Sequence, residues 1–146
     1  MTLENWHKAG LLKSHSTSAE EIANLLAIVD RDIEESHKPG MGDDWRFNIA
    51  YNAILQAATA ALRAAGYEPE RQRKHYYAIQ SLELTVRFDP EIIRLLEVFQ
   101  KKRHQAEYDQ AGIISDGEAK EIMAIAMQVS ERVREWLRAE HPDLMK

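Results

Sequence analysis

Apolar residues recur through most of this chain at the three- and four-residue spacing of one helix face. Residues 3–13 read as a short helix carrying Leu3, Trp6 and His7, stopped near Gly10 or by the polar run SHSTS. Thr17 and Ser18, each with a glutamate three residues on, form overlapping capping boxes. The helix behind them carries Ile22, Leu25, Leu26, Val29 and Ile33 on one face and ends at about residue 37, in HKPGMG. Asp43 or Asp44 caps a third helix that runs to Gly66. Its stripe is Phe47, Ala50, Tyr51, Ile54, Ala58, Ala61, Leu62 and Ala65, and the alanines let a neighbouring helix approach closely. Beside it lies a polar row, Asn48, Asn52 and Gln56, which is either a solvated face or a set of groups turned towards a partner.

Pro69 is placed to open the next helix, amphipathic through His75, Ile79, Leu82 and Val86. On that stripe His75 is expected as a satisfied core histidine. The same helix starts with RQRKH, an arrangement the helix macrodipole disfavours. Such a cluster is tolerated surface or serves an anionic partner, and in the second case Arg73 and His75 are candidate binding residues. Asp89-Pro90-Glu91 is a strong helix start, and Ser115 with Glu118 another capping box. The last helix spans about 116–140, with Ile122, Ile125, Ala126, Val129, Val133, Trp136 and Leu137 on one face and Pro142 beyond it. No stretch alternates convincingly as a strand. Short connections between the longer segments predict a single domain over 1–146. Its fold class is all-α, an up-and-down antiparallel helical bundle of four main helices plus one or two short ones.

One helix breaks its own pattern. Ile92, Leu95, Leu96 and Phe99 stand on a common face, and advancing about 100° per residue brings that face to Arg103, Ala106 and Gln110. A guanidinium therefore occupies a core-like position, and a buried cation needs a partner. Around it stand His104, Glu107 and Tyr108. On a continuing helix Arg103 pairs with Glu107 and His104 with Tyr108 at i, i+4. Alternatively Arg103 holds a phosphate while His104 transfers a proton.

Composition narrows the chemistry. The 146 residues are 45% hydrophobic and 29% charged with net charge −5, which disfavours nucleic-acid binding by bulk electrostatics but leaves room for a local basic site. There is no cysteine, so disulfides, thiolate metal sites and cysteine nucleophiles are excluded. No apolar run approaches a membrane span, and MTLENWHKAG lacks the layout of a signal peptide, so a cytoplasmic protein with no membrane association is expected. Phosphate-loop, dinucleotide, nucleophile-elbow and zincin motifs are absent, and Glu4-x-x-His7 and Glu34-x-x-His37 are the matches to a di-iron pattern. No metal or cofactor is expected.

Three segments carry a family resemblance: YNAILQAATAALRAAGYEP, RKHYYAIQSL and KKRHQAEYD, which together cover roughly residues 44–110. In these the chain resembles HEPN-domain proteins, small helical bundles of prokaryotic defence and toxin–antitoxin systems. The resemblance implies a HEPN-like bundle and a homodimer, with RNA or nucleotide as ligand and a nucleotidyltransferase-like antitoxin as a further partner. Catalytic members are metal-independent endoribonucleases. Their signature is an arginine, usually followed by a polar residue, and a histidine with four to six residues between the two, brought together with its copy at the dimer cleft. Arg103 and His104 match the first half, whereas Tyr108, Asp109 and Gln110 stand at the spacings allowed for the histidine. The expected catalytic set is Arg103 with His104 or Tyr108, and the expected binding set is Asn48, Asn52, Arg73, His75 and Glu107. Two functions follow: an RNA- or nucleotide-associated, toxin-like protein with a degenerate RNase motif, or a non-catalytic dimerisation or binding module of a two-component system.

Overall fold

The computed structural model describes residues 1–108 and 113–146, and of residues 105–108 the backbone alone. The helices are α1 (Leu3–Lys8), α2 (Ala19–Ser36), α3 (Asp43–Ala64), α4 (Lys74–Gln80), α5 (Leu82–Thr85), α6 (Pro90–Tyr108) and α7 (Asp116–Glu140), with a 3-10 turn at Pro142–Met145. They form an up-and-down bundle in which α3 packs against both α2 and α7. Helix α3 is the axis of the core: Phe47, Ala50, Tyr51, Ala53, Ile54, Ala57, Ala58, Ala60, Ala61 and Leu62 are all fully buried. A helix covered on so many sides needs small residues, because each methylene added to a filled interior must displace a neighbour.

The helix ends follow local chemistry. The Ser18 hydroxyl accepts from the Glu21 amide, and Ser115 and Glu118 form a reciprocal capping box at α7. Asp89 accepts from the Glu91 amide at 2.9 Å, ahead of the proline that opens α6. The cap of α3 is Gly42, so Asp43 and Asp44 fall in the first turn, where their charge suits the helix dipole. Gly66 closes the α3 end at φ +99°, a conformation that costs a residue with a Cβ.

Several expectations are corrected, among them the α3 cap just given and the absence of strands. Pro69 does not open a helix: Tyr67–Pro69 is a strand, β2, paired antiparallel with β1 (Leu12–Ser14) in the register Leu12↔Pro69, Lys13↔Glu68, Ser14↔Tyr67. The ribbon joins segments more than fifty residues apart and is anchored by buried Leu12, so no local periodicity announces it. The amphipathic stretch that follows starts later, at Lys74, and is divided at Ser81, whose hydroxyl donates to the Ala78 carbonyl. Ile79, Leu82 and Val86 are buried as expected, but His75, a turn before them, is exposed rather than in the core. Among the described side chains of α6, Ile93, Leu96 and Phe99 are buried, with Ile92 and Leu95 half-buried, so the apolar face is turned slightly from the expected one.

Candidate functional site

The basic run after β2 and one face of α6 meet in a surface groove of about 760 Å³. Arg71, Arg73, Lys74, His75 and Tyr76 form one wall. Glu97, Gln100, Lys101 and His104 form the other, at i, i+3, i+4 and i+7, which is one helical face. Among the described lining residues, four lysine and arginine side chains thus stand with one carboxylate, Glu97, on a chain whose net charge is −5. Clustering cations in a concave surface raises the local potential well above what the net charge suggests.

The wall before α4 is held from behind. His15 places its two ring nitrogens 2.7 Å from Glu21 Oε1 and 3.1 Å from Glu68 Oε2, and Arg63 lies 3.4 Å from Glu21 and 3.8 Å from Glu68. These contacts tie the ribbon to α2 and α3 just before the chain reaches Arg71. The hydrogen bond from the Thr17 hydroxyl, followed by that to His15, holds the Glu21 carboxyl below its ordinary value of 4.5.

Arg73 precedes α4 in the left-handed region, at φ 55° and ψ 35°. Its guanidinium carbon lies 3.9 Å from the centroid of the Tyr76 ring and 5.9 Å from that of Tyr77. Tyr77 meets Tyr76 edge-on at 5.1 Å, and Trp6 of α1 meets Tyr77 edge-on at 5.6 Å. A line of aromatic rings therefore runs from α1 to the groove and ends on Tyr76. Such edge-to-face contacts fix ring orientation as well as adding burial.

Arg103 lies elsewhere. It is half-buried, does not line the groove, and carries its guanidinium carbon 5.0 Å from the centroid of the buried Tyr51 ring. One partner of the core-facing cation is thus an aromatic face of α3. Burial raises the Tyr51 hydroxyl well above its ordinary pKa, with the Arg103 charge opposing that shift. Phe47, one turn before Tyr51, packs edge-on against Phe99 at 5.3 Å and closes the α3–α6 seam beside it.

The groove therefore unites three of the expected site residues, Arg73, His75 and His104, and separates them from Arg103. Asn52 stands on the α2 side, where its amide donates to Asp32 Oδ2 at 2.7 Å and Gln56 donates to its oxygen at 3.4 Å. That end of the polar row serves the α2–α3 seam instead of solvent. Asn48 is half-buried with its side-chain oxygen enclosed and no hydrogen-bond partner among the described residues. The side chains of Glu107 and Tyr108 lie outside the described residues. Residues added by the structure are Arg71, Lys74, Tyr76, Glu97, Gln100 and Lys101. The RQRKH run signalled the first wall, but the second is an ordinary polar helix face until folding brings the two together.

Among the described residues, no group of three or more His, Asp or Glu is placed to hold a metal ion. No helix among them is long and apolar enough to cross a membrane. No protein-family model matches the chain, and no curated protein sequence matches it either.

Proposed function

We propose that this protein is a HEPN-like bundle that binds RNA or a nucleotide through the groove between the α4 start and α6. The observation that carries the reading is the convergence of Arg71, Arg73, Lys74 and Lys101 with His75 and His104 on a chain of net negative charge. Phosphate binding needs such a local cluster, not a basic protein as a whole. Binding is favoured over cleavage because Arg103, the cation expected to hold the reacting phosphate, lies over the Tyr51 ring outside the groove that His104 lines. The test is a fluorescence-anisotropy titration with a labelled oligoribonucleotide. Arg71→Glu combined with Lys101→Glu weakens binding about tenfold or more at low salt. Equal affinity in wild type and variant overturns the reading.

A second reading, a non-catalytic dimerisation module, is favoured by Trp45 on α3, which is 54% exposed. An exposed indole of this kind is a common interface anchor. Sedimentation of wild type and Trp45→Ala separates the two readings: a dimer abolished by the substitution, with no RNA affinity in either protein, supports the module.

A further inference from the structure

We infer that Tyr76 is a base-stacking platform, so that the groove selects single-stranded nucleic acid over duplex and over bare polyphosphate. The inference rests on the proposed RNA- or nucleotide-binding reading of the groove and adds the class of ligand it takes. Cations stand on both walls, and Tyr76 is an aromatic side chain among them. Cations alone read phosphate and tolerate any polyanion. An aromatic face among cations reads something else, because only an unpaired base can lay its π-face on a ring. A duplex keeps its bases stacked on each other.

The Tyr76 ring is set up for that role. It is half-buried, and its orientation is fixed by a T-shaped contact with Tyr77, which Trp6 meets in the same way from behind. One face already carries a flat, delocalised cation, the Arg73 guanidinium at 3.9 Å. A guanidinium stacks on an aromatic ring much as a nucleobase does. Arg73 is exposed and its backbone sits in the left-handed region, so its placement over the ring opposes a local conformational preference. A base arriving in the groove takes the position of the guanidinium over Tyr76. Arg73 then turns to the adjoining phosphate, where Arg71, Lys74 and Lys101 already stand.

The test compares three probes of matched charge: a single-stranded oligoribonucleotide, the corresponding RNA duplex and inorganic polyphosphate. Wild type is expected to prefer the single strand. Tyr76→Leu, which keeps apolar bulk but removes the π-face, is expected to lose about five- to hundredfold in single-strand affinity while its polyphosphate affinity is unchanged. Unaltered single-strand binding by Tyr76→Leu, or equal binding of all three probes by wild type, overturns the stacking platform and leaves the anionic groove standing. Failure of wild type to bind any of the three overturns the groove reading and the platform with it. Photocrosslinking of a 5-iodouridine oligomer to the unaltered protein gives a variant-free check. Crosslinks are expected on the peptide holding Tyr76, and crosslinks confined to other peptides overturn the assignment.

Discussion

The guanidinium carbon of Arg103 lies 5.0 Å from the centroid of the Tyr51 ring, and the Tyr51 side chain is completely buried. Its hydroxyl has no hydrogen-bond partner among the described residues. The ring, not the hydroxyl, is therefore the useful part of this side chain. Tyr51→Phe is expected to be neutral or slightly stabilising, since it removes a buried polar atom that gains nothing in return. Tyr51→Leu keeps an apolar side chain but loses the cation–π contact, worth about 0.5–2 kcal/mol, together with aromatic packing. Urea denaturation of both variants checks this order. A loss above about 1 kcal/mol in Tyr51→Phe shows that the hydroxyl does have a partner.

Asn52 and Asp32 make the polar tie between α3 and α2. Asp32 is only 6% exposed, and its two oxygens are held by the Asn52 amide at 2.7 Å and by Arg31 at 3.0 Å. Removing the amide leaves a buried carboxylate oxygen without its donor. Asn52→Ala is expected to cost about 1–3 kcal/mol in chemical denaturation and to leave RNA affinity unchanged, because Asn52 lies away from the groove. Reduced RNA affinity in a folded Asn52→Ala protein restores the polar row as a binding element.

Acid sensitivity is expected from two glutamates. The Thr17 hydroxyl and His15 hold Glu21 below 4.5, and the Lys102 ammonium followed by the Ser115 amide does the same for Glu118. A carboxylate with a lowered folded-state pKa adds stability that is present above its unfolded value and lost as pH falls through the folded one. Thermal melts are therefore expected to hold steady from about pH 7 to 5 and to decline below about 4.5. Both side chains are partly exposed, so the slope is shallow. Glu118→Gln reduces the decline; an identical pH profile in that variant shows that the Lys102 contact contributes nothing to it.

The alanines of α3 are a packing requirement. Ala57, Ala58, Ala60 and Ala61 are fully buried in the helix that α2 and α7 cover. Ala58→Leu is expected to destabilise by about 1–3 kcal/mol through overpacking, read as a lower urea midpoint. An unchanged midpoint means that the helices part at little cost.

Much of the bundle was legible because its long helices satisfy a single period. The stripes of α2, α3 and α7 are buried apart from half-buried Ile33, Ala65 and Trp136. Ser115 forms its capping box, whereas Ser18 caps α2 through the Glu21 amide alone and Thr17 donates to the Glu21 carboxylate instead. The β1–β2 ribbon was not legible, because Leu12–Ser14 and Tyr67–Pro69 are short and acquire strand character only from each other. Pro69 satisfied a helix-start rule but stands at the end of an edge strand, where its missing amide is equally tolerable. At Arg103, where the residue conflicts with the pattern, one partner is the Tyr51 ring of α3, which the spacing within α6 could not announce. His75 was assigned to the core by its spacing from Ile79, but the helix has only begun at Lys74 and that first turn reaches beyond the core. The groove depends on bringing residues 71–76 beside 97–104, which no pattern within either segment encodes.

The most direct measurement is an NMR titration of the protein with a single-stranded oligoribonucleotide, following the imidazole resonances of its histidines. Ligand in the α4–α6 groove is expected to move the His75 and His104 signals together, to leave His37 on α2's far end unmoved, and to lose its effect as salt is raised. RNA binding that leaves His75 and His104 unmoved contradicts the assignment of the groove.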